Sequence, residues 1–300
     1  MFLADTHADT LYAMGIHHAS SADLMITPDK MRAGGVTLQT FALWTGPKGR
    51  HGDVRGIVDA ELDALPALLE EGLVQVFDPR EAREDQQSFM LSVEGGELFE
   101  ESEEQVQYWY DRGVRMVAIV WNNENALAHP AKTGSTEGLT AQGRRIVREM
   151  QRQHMAVDTA HLNEAGFWDL FRMGAAAPMA SHSCCRALCD HPRNLTDEQI
   201  REMIRGGGYI GMNFYPSYLS DTGKADLSTV VRHIRHICDL GGEHILGFGS
   251  DFDGIETTPE GLTGAQDFPA LLDALSQAGF SESTIRGFAG ENLRSYYSRI

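Results

Sequence analysis

Short apolar runs alternate with longer amphipathic stretches along the whole chain. Eight of the runs have the length and the β-branched or aromatic content of buried parallel strands: residues 2–6, 36–43, 89–93, 115–120, 155–160, 178–181, 209–214 and 245–250. Helical spacing fills the gaps. Val54, Ile57, Val58, Leu62, Leu65 and Leu69 recur at that spacing, with Pro66 expected to kink the segment, and Leu227, Val230, Val231, Ile234 and Ile237 form one clear stripe. Ser102 with Gln105 and Thr196 with Gln199 have the pattern of capping boxes, and residues 283–297 read as further helix. Strands alternating with helices imply parallel βαβ units, and eight units in 300 residues allow about 37 residues each. With no linker, charge block or repeat, the expectation is a single domain over 1–300. Its expected fold is α/β: a (β/α)8 TIM-type barrel with a short helical C-terminal tail. An open doubly wound sheet is the alternative.

Composition narrows the partners. Hydrophobic residues make up 42% of the chain and charged residues 23%, ordinary for a soluble globular protein. The 25 Lys and Arg against 43 Asp and Glu give a net charge of −18, and no basic run interrupts it, so a nucleic-acid partner is not expected. No window of about eighteen uninterrupted apolar residues predicts a membrane span. Asp5, Thr6, His7 and Asp9 come too early for a secretory signal. Four cysteines, at 184, 185, 189 and 238, are too few and too clustered for a disulfide framework, and reduced thiols in a cytoplasmic enzyme are expected.

In a barrel the chemistry lies at the C-terminal ends of the strands. Five of the eight ends carry His, Asp or Glu: His7 and Asp9, Glu94, Asp158 and His161, His182, and Asp251 with Asp253. Residues two apart on a strand face the same side, so His7 and Asp9 converge and offer one nitrogen and one oxygen to Zn²⁺ or a similar ion. Together with Glu94, His161 and His182 they make five ligands, enough for two metal ions if Glu94 bridges. Some barrel hydrolases bridge with a carbamylated lysine, but none of the four lysines (Lys30, Lys48, Lys132, Lys224) ends a candidate strand. Asp251 is the natural general base and acid, with Asp253 as competitor.

Other features have plainer readings. Residues 206–211 match G-x-G-x-x-G but lead into a strand, which removes the dinucleotide reading. No G-x-S-x-G and no H-E-x-x-H are present. His233 and His236 lie on the flank of a helix, away from its apolar stripe, and are expected at the surface. Cys184, Cys185 and Cys189 are expected to pack rather than to bind a soft metal.

At these residues the sequence resembles the membrane (renal) dipeptidase family, metal-dependent barrel hydrolases related to the amidohydrolases. The likeness runs almost end to end. It is carried by residues 5–9, 34–36, 93–96, 138–140, 158–161 and 181–183, and most densely by 189–199 and 249–254. The resemblance implies a binuclear zinc site, with His7, Asp9 and Glu94 on one ion and Glu94, His161 and His182 on the other. It further implies a hydroxide between the metals that attacks the amide of a dipeptide, Asp251 as proton shuttle, and Arg193 holding the substrate carboxylate. Tyr215 is expected to line the same pocket, and a homodimer is implied by resemblance alone. Where the family usually carries a histidine at the fourth strand end, this chain has Trp121. An indole donates one hydrogen bond and carries no positive charge. That departure leaves open a different small amide, such as an N-acyl amino acid or a lactam. A non-catalytic metal-binding protein is the remaining alternative.

Overall fold

A computed structural model of the protein describes residues 1–46, 53–174 and 177–300. Lys48 lies outside the described residues. Nine parallel strands form the sheet: β1 (Ala4–Ala8), β2 (Leu38–Trp44), β3 (Val74–Gln75), β4 (Ser88–Glu94), β5 (Val114–Ala118), β6 (Ala156–Asp158), β7 (Met179–Ser183), β8 (Tyr209–Met212) and β9 (Leu246–Phe248). Eight of them close into a barrel. β2 pairs with both β1 and β4, the order then runs β4 to β9, and β9 returns to β1. The two-residue β3 stands outside the ring, beside β4. All eight predicted runs are barrel strands, and the crossovers between them carry helices, as parallel pairing requires.

The differences from expectation have local causes. The first strand runs to Ala8, so Asp5 and His7 both lie within it rather than at and beyond its end. Pro66 does more than kink its segment: the chain forms two helices, Val54–Leu62 and Leu65–Glu70, with the proline in the first turn of the second, where its missing N–H is not needed. Thr196 and Gln199 form the expected reciprocal cap, at 2.9 and 3.2 Å. Ser102 does not. The helix starts at Glu104 behind Glu103, and Gln105 bonds only the Ser102 carbonyl through its backbone N–H, at 3.3 Å.

The barrel interior is tight. Thr6 Oγ1 donates across it to the Ser181 and Phe248 carbonyls, at 2.7 and 2.9 Å. Around this crossing the neighbouring strands carry glycine: a Cβ on Gly211 or Gly249 would lie 2.0 or 1.8 Å from the Ser181 carbonyl oxygen. Below, Phe2, Leu38, Met90, Met116, Met179 and Tyr209 pack against Leu293, Tyr296 and Tyr297, so the C-terminal helix seals the N-terminal mouth. The opposite mouth is left for chemistry. No helix of the described residues is long and apolar enough to cross a membrane. Gly249→Ala is expected to lose about 1–3 kcal/mol of stability, because the clashing atom is backbone and cannot swing away; chemical denaturation followed by circular dichroism measures it.

Candidate metal centre

The C-terminal strand ends bring His7, Asp9, Glu94, His161, His182 and Asp251 into one cluster, all of them buried except the half-buried Asp251. Glu94 Oε1 is its centre. It lies 2.8 Å from His161 Nε2, 3.5 Å from His182 Nε2 and 3.9 Å from His7 Nε2. His7 Nε2 lies a further 3.4 Å from Asp9 Oδ2 and 3.7 Å from Asp251 Oδ1. The two other imidazoles face each other, Nε2 to Nε2, at 3.2 Å.

Backbone geometry aims these groups. β2 and β4 stay in register for seven pairs, ending with Trp44 beside Glu94. Gly95, at φ 105°, turns the chain immediately after the carboxylate. His161 and Asp251 both adopt left-handed backbone, at φ 67° and 65°, which ordinary L-residues avoid at a cost of about 1–3 kcal/mol. Such strain survives where the surrounding structure over-determines it. Here the Asp251 N–H donates to the His7 carbonyl at 3.1 Å, and the His161 carbonyl accepts from Ala131 N–H at 2.8 Å.

Hydrogen bonds settle which imidazole nitrogens carry protons. His161 Nδ1–H donates to Asn122 Oδ1 at 3.0 Å. His182 Nδ1–H donates to Ser181 Oγ at 2.8 Å, and that hydroxyl in turn donates to Asp158. Both Nε2 atoms therefore present lone pairs toward Glu94 Oε1 and toward each other. Three lone-pair atoms in buried contact repel unless something positive lies among them, and His7 Nε2 is itself buried without a hydrogen bond. Nitrogen and carboxylate oxygen donors suit a zinc-like divalent cation. Hydrogen bonds from ligand imidazoles to outer carboxylates and amides are the usual means of orienting them.

The electrostatics of the cluster differs from residue to residue. Burial opposes charge on His161 and His182, and with nearby Arg193 and His7 it holds both well below the usual histidine range. Burial also acts against the His7 imidazolium, but Asp9, Glu94 and Asp251 outweigh it and push His7 up to about 10. Burial raises Glu94 well above, and Asp251 above, the ordinary carboxylate range, with His7 pulling both back.

The cluster forms the floor of a cavity of about 660 Å3. Trp121 lines it and meets Trp44 edge-on, with centroids 4.7 Å apart; Trp44 meets Tyr12 the same way at 4.6 Å. Tyr215 lines it too, with its hydroxyl donating to Glu256 at 2.8 Å. Arg193 lies just behind the wall, 5.4 Å from the ring centroid of cavity-lining Tyr218, and its Nη2 donates to the His182 carbonyl at 3.3 Å. Asp251 Oδ2 accepts from Asn213 Nδ2 at 2.9 Å. Asp253, its competitor, accepts from Thr10 and the Met25 and Ile26 backbone, which ties it to the loop as a structural carboxylate.

Several working residues escape a reading of strand ends. Asn122, Ser181 and Asn213 orient the cluster from behind, and Asp158, which the strand ends did point to, backs Ser181. Asp5 accepts from Ser250 N–H and Oγ–H, at 2.8 and 2.5 Å, beneath His7. The available signal was alternation: Asp5 precedes His7 by two, on the same strand face. The surface expectation for His233 is wrong. It is 1% exposed, accepts from Cys185 N–H at 3.1 Å and donates to the Leu219 carbonyl at 2.9 Å. His236 is half-buried and pairs with Asp197 at 2.7 Å. Cys184, Cys185 and Cys189 are buried free thiols that donate to backbone carbonyls.

A buried cluster of imidazoles and carboxylates in the mouth of a parallel α/β barrel defines a metal-site hydrolase architecture. The chain belongs to the membrane dipeptidase family (Peptidase family M19), whose model matches residues 1–295. It is 34% identical over 216 residues to an uncharacterised Klebsiella pneumoniae protein encoded in the pqqA 5′ region, covering 68% of this chain and 79% of that one. It is also 34% identical over 210 residues to an uncharacterised dipeptidase of Schizosaccharomyces pombe, covering 69% of this chain and 51%, about half, of the yeast protein. A Rhodobacter sphaeroides metallopeptidase, solved with a phosphinate mimic of the dipeptide L-Ala-D-Ala, superposes with a TM-score of 0.90 at 26% identity, covering 100% of this chain and 99% of that one.

Ser181→Ala breaks the link from Asp158 to His182 without touching a metal-donor atom. It is expected to weaken zinc affinity about 10–100-fold, read by chelator competition, while the circular dichroism spectrum is retained.

Proposed function

We propose that this protein hydrolyses the amide bond of dipeptides, using two zinc ions held by His7, Asp9, Glu94, His161 and His182. One observation carries the reading: imidazole lone pairs and a carboxylate are turned on a common buried point, with their protons committed elsewhere. Two donor sets, His7–Asp9–Glu94 and Glu94–His161–His182, share Glu94, which suits a carboxylate bridging two cations. When bound, such ions polarise the scissile carbonyl and bring the pKa of water near neutrality.

The remaining work falls to the chain's own groups. Asp251, anchored through one oxygen by Asn213, takes the proton of the attacking water and passes it to the leaving amine. Arg193 supplies positive charge for the substrate's C-terminal carboxylate. Its side chain is buried, pairs with no carboxylate among the described residues, and leaves Nε without an acceptor. A buried guanidinium in that condition favours an anionic ligand. The dipeptide mimic bound by the Rhodobacter sphaeroides metallopeptidase supports the substrate class.

A second reading, another small amide such as an N-acyl amino acid or a lactam, draws on Trp121. Its indole stands over the cluster, 6.0 Å from the His161 ring, and offers an apolar face where an ionisable group would stabilise a developing oxyanion.

Zinc-loaded protein is expected to hold two equivalents and to hydrolyse at least one member of a panel of L-L and L-D dipeptides; full loading with no hydrolysis of any of them refutes the proposal. Asp251→Asn is expected to lower kcat about 10²–10⁴-fold. Arg193→Ala should raise KM about tenfold or more for substrates with a free carboxylate relative to their C-terminal amides. An unchanged KM ratio would remove Arg193 from recognition.

A further inference from the structure

We propose that Lys132 selects dipeptides whose C-terminal residue carries a second carboxylate, an aspartate or a glutamate. The inference rests on the dipeptide reading above and names the substrate class within it.

Lys132 is the one lysine or arginine among the described residues lining the cavity over the metal cluster. Among the described residues it has neither a hydrogen bond nor an ion pair. Its side chain is exposed, but its turn is strapped to the strand end that carries His161. Ala131 N–H donates to the His161 carbonyl at 2.8 Å, and Asn163 N–H donates to the His129 carbonyl at 3.1 Å. Asn163 Nδ2 holds the far side of the same loop through the Ser135 and Glu137 carbonyls, at 2.8 and 2.7 Å. The lysine stem therefore starts from a fixed point beside the cluster.

Charge gives the position its meaning. Two cations serve this part of the site, Arg193 behind Tyr218 and Lys132 in the cavity. They are close enough that burial and the Arg193 charge together pull the Lys132 ammonium below its ordinary value, with Glu256 acting the other way. Glu256 is the acidic neighbour on the rim, and its carboxylate accepts from the Tyr215 hydroxyl. A dipeptide ending in a neutral residue brings one carboxylate, which Arg193 takes. One ending in aspartate or glutamate brings a second, and Lys132 is the unpaired cation left to receive it. The chain is strongly acidic overall, at −18, so an acidic substrate needs such a local exception to enter.

The test compares kcat/KM for Ala-Asp against Ala-Asn and Ala-Glu against Ala-Gln, with the C-terminal residue in both L and D forms, on zinc-loaded protein. Each pair differs in charge and hardly in shape. In the wild type the acid is expected to be preferred about tenfold, a modest factor because the lysine is partly solvated. In Lys132→Met the ratio should fall to near one. A wild-type ratio near one, or a ratio that persists in Lys132→Met, overturns the proposal. So does an equal loss on acid and amide substrates, which would give Lys132 the main-chain carboxylate instead. If no dipeptide is hydrolysed, the dipeptide reading itself fails, and calorimetric binding of the same pairs decides the lysine: about tenfold tighter binding of the acid in the wild type alone supports it, and equal binding overturns it.

Discussion

The structure turns on a concentration of lone pairs around Glu94 Oε1. Imidazole nitrogens of His161 and His182 and the carboxylate oxygen all point inward, at 2.8 to 3.5 Å, on side chains that are almost fully buried. Left alone, such an arrangement costs free energy. Hydrogen bonds from behind nevertheless enforce it, from Asn122 on one ring and from Ser181, backed by Asp158, on the other. A protein that spends its outer polar groups on holding repulsive atoms together is organised for a cation. The other features of the barrel mouth follow from that need.

Parallel closure supplies the geometry. Each barrel strand ends on the same rim, so side chains far apart in sequence meet without any long loop having to fold over them. The seven-pair register of β2 with β4 sets Trp44 beside Glu94, and the Thr6 crossing with its flanking glycines draws β1, β7, β8 and β9 close beneath the cluster. The C-terminal helix closes the opposite mouth with Tyr296 and Tyr297. The cavity above the cluster is then built from two kinds of wall. One is the edge-to-face series of Tyr12, Trp44 and Trp121; the other carries Tyr215, Tyr218 and Lys132.

Much of this is legible in the amino-acid sequence. Buried parallel strands announce themselves as continuous apolar runs, and the residue at which each run turns polar is the one presented at the mouth. His7, Glu94, His161, His182 and Asp251 are such residues. Periodicity misplaces His233 because its helix buries more than one stripe: two separate segments, the turn at Cys185 after β7 and the short helix Pro216–Leu219 after β8, fold over a flank that a helical projection assigns to solvent. Ser102 fails as a cap because Glu103 already has helical backbone, so the first turn begins without the serine side chain. Lys132 lies outside every strand, and its sequence surroundings look like an ordinary polar loop.

The amino-acid sequence by itself determined the barrel, the imidazoles and carboxylates gathered at its mouth and the acidic balance, because hydrophobic periodicity and the polar residue closing each apolar run are local properties of the chain. Only the tertiary structure decided which nitrogen of each imidazole keeps its proton, that Arg193 stands behind the cavity wall while Lys132 enters the cavity, and that Asp253 belongs to the loop rather than to the cluster. Those outcomes depend on hydrogen bonds and charges between residues far apart in the chain, such as Thr10 with Asp253 and Asn122 with His161, and nothing in the spacing of either partner records the other.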